Sequence, residues 1–312
     1  MKRIISFVLL LLFTIVFWFS GNKMIKNFVL NDLEKDNYII TMKRDLLSLM
    51  VAYPDYIKKI EKGFDDRVYV VMKSGKKILY DDKNKKNYSQ KLNNPDIQDM
   101  MEQVYPLGEI KNLMEKNYDP GRIRVYPLLK EVYGYTQSEV QKNLVSVKVG
   151  YRYFAFNGKN NASENLNAAM QEIMLLIKRK SSIYSYIFPA NGTFNYRYIA
   201  GTNRLSAHSF GIAIDLKRDK RDYWRWASNS QGQERLKQFP KEVVRIFEKN
   251  NFIWGGKWGH FDILHFEYRP ELIIKSKYFS KLPPSDKPWY YGVPLDNEEV
   301  RKYIQIIDNA IK

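Results

Sequence analysis

The order of sequence elements predicts an α+β fold. Stretches of strand character and stretches of helix character alternate irregularly, without the strand–helix–strand repeat of a doubly wound parallel sheet. The 312 residues show no internal repeat and no nucleotide-binding glycine fingerprint. Hydrophobic residues make up 45% of the chain and aromatic residues 15%, enough to bury a sizeable core and unlike a disordered chain. The length allows one large domain or two smaller ones.

The chain opens on Met1-Lys2-Arg3, followed by "IISFVLLLLFTIVFWFS" (Ile4 to Ser20), which carries no charge. A basic start and a long apolar run point to export or membrane insertion. The run is near the lower limit for a spanning helix, roughly 17–25 residues. It is longer than a usual signal-peptide core, and "FWFSGNK" makes a poor cleavage site. Residues 1–23 therefore read as a signal anchor, with a cleaved signal peptide as the alternative. Lys2 and Arg3 keep the N-terminus cytoplasmic and the rest of the chain outside.

Residues 24–143 read as a stalk and an α/β extension of unassigned role. Met24 to about Asn37 is polar. Arg44–Lys62 has helical spacing interrupted near Pro54. Arg67–Asp82 reads as a β-hairpin around Ser74-Gly75. Asp82–Asp96 reads as an exposed loop, and "IQDMMEQVYPL" as a short helix. "NYDPGRIRVYP" (Asn117 to Pro127) reads as a turn and a short strand, and "LLKEVYG" as a helix with Gly134 past its end.

From Leu144 to Phe156 the valines 145, 147 and 149 alternate, as in a half-buried strand. "SENLNAAMQEIMLLIKRK" places Leu166, Met170, Ile173 and Ile177 on one helical stripe, with Ser163 as N-cap and basic residues at the end. "IYSYIFPANGTFNYRYIAG" reads as strands joined by loops. "PKEVVRIFEKNNF" starts a helix at Pro240, with Val243, Ile246 and Phe247 on one face. Residues 280–312 read as a Pro-rich tail and a terminal helix.

The net charge of +17 suits anionic surroundings: nucleic acid, acidic lipid or an acidic wall polymer. It equally suits a solvated basic surface. No dense Arg/Lys stripe with interleaved aromatics is present, so no nucleic-acid partner is expected. The absence of cysteine excludes disulfides, thiolate zinc sites, cysteine nucleophiles and a lipoprotein anchor. Any metal site must draw on carboxylates and on the three histidines.

All three histidines fall in two stretches, "RLSAHSFGIAIDLK" (Arg204 to Lys217) and "WGHFDILHFEY" (Trp258 to Tyr268). A catalytic zinc takes three protein ligands and leaves a position for water, with a carboxylate nearby to accept the proton. His208 and Asp215 can meet on one metal if a turn separates them, and Gly211 permits that turn. In "IAIDL", Ala213 and Asp215 share a face, and the small alanine leaves room. An unpaired Asp215 among apolar neighbours is costly and needs a cation or strong donors. "DILHFE" reads as a strand entered from Asp262, with His265 on the face of Ile263 and Glu267.

The stretch "SAHSFGIAID" fits S-x-H-x-x-G-x-A-x-D, and "DILHFE" fits [D/E]-x-x-H. Together, over roughly Leu144 to Pro270, the chain resembles the zinc D-Ala-D-Ala carboxypeptidases and dipeptidases of vancomycin resistance, above all the VanY-type branch, and the related L-Ala-D-Glu endolysins. The resemblance implies a small antiparallel sheet with flanking helices carrying a single zinc site, within residues 144–279. It implies His208, Asp215 and His265 as ligands of one Zn²⁺ and Asp262 as general base, a position that is Glu in some relatives. Arg197 matches an arginine that polarises the scissile carbonyl and holds the oxyanion. Ser206 matches a serine that orients substrate or a ligand.

Beside these stand residues with less specific signals. Tyr196, Trp254 and Trp258 are candidates to line a substrate cleft, against ordinary packing. His260 lies outside the motif and reads as a rim or structural residue. Glu267 reads either as support behind a ligand or as an exposed carboxylate.

The implied reaction is metal-assisted hydrolysis in which Asp262 takes a proton from water and returns it to the leaving amine. The expected substrate is a peptidoglycan stem peptide and the expected activity D,D-carboxypeptidase. The alternatives are an L-Ala-D-Glu or cross-link endopeptidase, and a membrane-tethered wall-binding protein without activity.

Overall fold

The computed structural model describes residues 33–312. The apolar run from Ile4 to Ser20 lies outside them. Among the described residues no helix is long and apolar enough to cross a membrane.

The chain begins in helix α1 (33–52), so the expected stalk is helical from residue 33 onward. The helix stops just before Tyr53-Pro54, because proline disfavours helical geometry in the residue preceding it. The helical spacing beyond Pro54 does not become helix. Ile57–Lys62 is strand β1, paired antiparallel with β2 (Val68–Met72), which pairs with β3 (Lys77–Leu79). Burial of Ile57 and Ile60 against the core overrides the weak helical preference of "IKKIEK", and a register shift between Ile57 and Lys59 brings both isoleucines inward. The hairpin around Ser74-Gly75 stands as expected.

The expected loop Asp82–Asp96 contains helix α2 (Tyr88–Asn93), capped reciprocally by Asn87 and Gln90. Helix α3 (Ile97–Met101) follows, capped by Asp96. No strand forms in Asn117–Pro127, which runs as an irregular segment into α4 (Tyr126–Tyr133), closed by Gly134. Helix α5 (Gln137–Lys142) leads into a hairpin of β4 (Leu144–Val149) and β5 (Arg152–Asn157). The expected single strand is therefore two. Gly150, at φ +64°, permits the two-residue connection.

Helix α6 (Ala162–Arg179) buries Leu166, Met170 and Ile173. Its N-cap is Asn161, in left-handed geometry, and not Ser163, which sits one residue inside the first turn with its hydroxyl on Glu164. The aromatic stretch after it forms the short helix α7 (Tyr184–Ile187) and irregular chain joined by isolated bridges, not strands. Proline at 189 and glycine at 192 interrupt any ladder.

The central sheet has the order β6-β8-β7, all antiparallel: β6 (Ala213–Asp215), β7 (Phe252–Trp254) and β8 (His265–Tyr268). Helices α8 (Asn229–Gln238) and α9 (Lys241–Lys249) lie between β6 and β7 in sequence. Helix α9 buries Val243 and Phe247, with Pro240 at its start. Helix α10 (Pro270–Tyr278) follows β8, and α11 (Glu298–Ala310) closes the chain as expected.

One hydrophobic core runs from Met42 to Ile311 and draws on both the early and the late elements. Buried polar ties cross it. Lys275 meets Asp45 at 2.6 Å, and Tyr53 donates to Glu271 at 2.7 Å, so α1 is bound to α10. Lys43 and Asp308, 2.6 Å apart, hold α11 against α1. The architecture is thus α+β with small antiparallel sheets, as the irregular element order predicts.

Candidate metal centre

The register of the central sheet builds the site. Asp215 at the end of β6 stands directly opposite His265 at the start of β8, and Ala213 stands opposite Glu267. Opposed residues share a face in an antiparallel pair. His208 arrives from a single 3₁₀ turn, Ala207–Phe210. Ser206 caps that turn, its hydroxyl accepting from the His208 N–H at 3.4 Å. Gly211 ends it at φ +66°, where a Cβ would lie 2.7 Å from Leu144 Cδ2. His208 is therefore on a turn rather than a core strand, and Gly211 redirects the chain into β6.

Three atoms converge. His208 Nε2 lies 3.3 Å from His265 Nδ1 and 3.2 Å from Asp215 Oδ1, and His265 Nδ1 lies 2.9 Å from Asp215 Oδ1. Tetrahedral zinc ligands at about 2.0–2.1 Å from the ion stand about 3.3 Å apart. Two of the three separations match that spacing and the third is slightly shorter.

The opposite ring nitrogens set the tautomers. His208 Nδ1 donates to the Thr193 carbonyl, which leaves Nε2 with a lone pair. His265 Nε2 faces the Glu267 carboxylate at 3.7 Å, so that in the neutral ring Nδ1 carries the lone pair. Two nitrogen lone pairs and a carboxylate oxygen pointing together repel one another unless a cation sits among them. The donor set of His208, Asp215 and His265 thus fits a divalent metal.

The protonation energetics agree. Burial lowers the His265 pKa, but the hydrogen bond to Asp215 and the nearby Glu267 carboxylate outweigh it and push the imidazole up to about 10. Burial raises Asp215, yet the two imidazoles hold its carboxyl far below the usual range. This corner demands positive charge, from a proton or a metal. Behind His265, Glu267 is fully buried. Burial raises its carboxyl, but the Arg124 guanidinium, bound through both oxygens, and Arg269 hold it well below the ordinary value. Glu267 is thus a buried carboxylate behind His265 and not an exposed one.

Asp262 lies just before β8, as the three-residue offset from His265 implies. Its N–H donates to Gly255 O at 2.9 Å and its carbonyl accepts from His265 N–H at 3.1 Å. Burial pushes its carboxyl up to about 7, with the His265 charge opposing and the Asp215 charge adding to the rise. A carboxyl poised near neutrality both accepts and returns a proton readily.

A cleft of about 290 Å³ contains the converging atoms and Asp262. Arg197, Ser206, Trp258 and His260 line it. The Arg197 backbone is clamped to the His208 turn, its carbonyl accepting from Ser206 N–H at 3.0 Å and from the Ser209 hydroxyl at 2.8 Å. Trp258 lies 5.5 Å from the His265 ring and donates its indole N–H to Pro120 O.

Tyr196 and Trp254 lie outside this lining. Trp254 is a core residue, stacked on Phe239 and bonded through its indole to Ile263 O. Its rim faces a second cavity beside α8 and α9. Arg122, Arg124, Arg218 and Tyr223 also line the cleft. Arg122 and Arg124 come from a segment distant in sequence, whereas Arg218 and Tyr223 follow Asp215 closely but occupy no fixed position of the motif. A second acidic cluster, Asp81, Asp82 and Asp96, is neutralised by Lys86, whose ammonium lies 2.8 Å from Asp82, 2.9 Å from Asp96 and 2.7 Å from Asp99.

Residues 200–268 match the model of a metallopeptidase family described as D-alanyl-D-alanine carboxypeptidase. The match takes in His208, Asp215, Asp262 and His265, and stops short of Arg197. Comparison with curated proteins and with solved structures found no match. The matched family supports a peptidase.

Proposed function

We propose that this protein hydrolyses peptide bonds in peptidoglycan stem peptides, as a D-Ala-D-Ala carboxypeptidase holding one Zn²⁺ on His208, Asp215 and His265. The observation that carries this reading is the convergence of His208 Nε2, Asp215 Oδ1 and His265 Nδ1 within 3.3 Å of one another, with Asp262 lining the same cleft.

Zinc bound there supplies Lewis acidity, which acidifies water and polarises a carbonyl. The chain's own residues do the rest. Asp262 takes the proton of the attacking water and passes it to the leaving amine. Arg197, exposed on the cleft wall with its backbone fixed, offers an always-charged fork to the developing oxyanion. Glu267 and Arg124 keep the His265 ring in the tautomer that presents Nδ1. Trp258 excludes water along one side of the site.

The further cleft guanidiniums of Arg122 and Arg218 suit a substrate that ends in a carboxylate, which favours the carboxypeptidase over an endopeptidase. The uncharged run Ile4–Ser20 supports a protein tethered to the bacterial membrane with its cleft outside the cytoplasm, facing the wall.

A digest of defined muropeptides tests this, with metal content measured on the same sample. Release of free D-Ala is the expected product. Loss of whole stem peptides would make the protein an endopeptidase. Wall binding with neither metal nor product would leave only a wall-binding protein. Replacing His265 by Ala is expected to remove both zinc and hydrolysis.

A further inference from the structure

His260 lies on the cleft wall but belongs neither to the proposed ligand set nor to the proton-transferring role given to Asp262. Its environment is nevertheless built to hold one ring orientation. Nδ1 lies 2.6 Å from Asp119 Oδ2, and the His260 backbone N–H donates to Asp119 Oδ1 at 2.8 Å. The Asp119 side chain is fully buried and also accepts the Tyr88 hydroxyl. The imidazole is stacked on Tyr88, with centroids 5.6 Å apart, and meets Trp224 edge-on at 4.6 Å. Its side chain keeps 15% exposure, and His260 is among the residues lining the cleft.

An ionised carboxylate only accepts hydrogen bonds, so the Nδ1 facing Asp119 carries the proton. In the neutral ring Nε2 is then an acceptor. Asp119 and Tyr88 come from segments far ahead of the family-matched residues 200–268. The same early segment clamps the loop that bears His260. Gly259 N–H donates to Tyr118 O at 2.8 Å, Arg122 Nη1 donates to His260 O at 3.1 Å, and a Cβ on Gly259 would lie 2.0 Å from Glu115 O.

We propose that His260 is a substrate-binding residue whose Nε2 accepts a hydrogen bond from an amide N–H of the peptide, with Asp119 as its positioning residue. The inference rests on the peptidase reading above. It makes residues 115–122 a wall of the cleft rather than a remote extension.

Three variants of the full chain, zinc-loaded in detergent, test it. The probe is the stem pentapeptide L-Ala-γ-D-Glu-L-Lys-D-Ala-D-Ala. Asp119→Asn presents an N–H to Nδ1, which moves the ring proton to Nε2 and turns the acceptor into a donor. His260→Phe keeps a ring between Tyr88 and Trp224 without an acceptor. His260→Gln restores an acceptor.

Asp119→Asn and His260→Phe are expected to raise KM about tenfold, the worth of one substrate hydrogen bond. Their kcat and zinc content are expected to stay near wild type, and His260→Gln to recover part of KM. Should Asp119→Asn fail to fold, the two His260 variants decide the matter. Unchanged KM with a lowered melting temperature would make His260 structural and overturn the proposal. So would a fall in kcat at constant KM.

If wild type holds zinc but does not cleave the pentapeptide, the peptidase reading fails separately. Calorimetric binding of the same peptide then judges His260. A tenfold loss in His260→Phe supports the contact, and equal or absent binding in both proteins overturns it.

Discussion

At the scale of single residues, Asp262 and Glu267 are two carboxylates driven to opposite ends of the titration range by their neighbours. Asp262 accepts no side-chain partner among the described residues and rises to about 7, while Glu267 is held low by Arg124 and Arg269. Asp262→Asn is therefore expected to lower kcat at least a hundredfold with zinc content unchanged, measured by single-turnover hydrolysis. Activity retained within tenfold would remove Asp262 as the base. Glu267→Gln is expected to weaken zinc binding about 10–100-fold, read by chelator competition. His265 holds a proton up to about pH 10 when no metal displaces it. Zinc must expel that proton, so the melting-temperature gain on adding zinc is expected to grow from pH 6 to pH 8. A gain that shrinks over this range would contradict the ligand assignment.

At the scale of elements, two short devices carry the site. The first is the 3₁₀ turn Ala207–Phe210, ended by Gly211 in left-handed geometry. Gly211→Ala combines backbone strain with a contact to Leu144 and is expected to cost about 1–3 kcal/mol in denaturant unfolding, with zinc affinity falling as His208 shifts. Unchanged stability would mean that the turn relaxes freely. The second is the register of β6 on β8. A slip by one residue would turn Asp215 and His265 to opposite faces, so the pairing itself specifies the ligand pair. The alternation in "IAIDL" and the motif spacing pointed to both devices. The position of Asp262 just ahead of the strand also followed from the three-residue offset, and Gly255 O and the Asp222 carbonyl fix it there by accepting from the backbone N–H groups of Asp262 and Ile263.

At the scale of the whole molecule, the early and late segments share one core and one cleft. Tyr105 donates to Glu248, which also binds Lys257 at 2.5 Å, and Lys257 donates to Pro106 O. Arg269 donates to Gly121 O at 2.8 Å. Removing residues 33–143 would strand these buried charges and open the apolar face beneath them. A fragment starting at residue 144 is therefore expected to lack a cooperative thermal transition, measured by circular dichroism. A fragment that melts cooperatively and binds zinc would show that the later segment folds alone.

The sequence by itself determined the α+β class and the apolar N-terminal run, and it singled out His208, Asp215, Asp262 and His265, which the fold gathers in one cleft. A turn glycine, a period of two and a three-residue offset are short-range patterns, and the family resemblance they carry implies the roles of those four residues. Other features were decided only by the tertiary structure. Ile57–Lys62 became a strand because its partner offered burial that helical spacing cannot signal. Glu267 became a buried carboxylate because Arg124 arrives from 143 residues away. His260 acquired a fixed ring because Asp119, 141 residues distant, lies beneath it. Contacts across such separations depend on how the whole chain closes on its core, and no local pattern in the sequence records them.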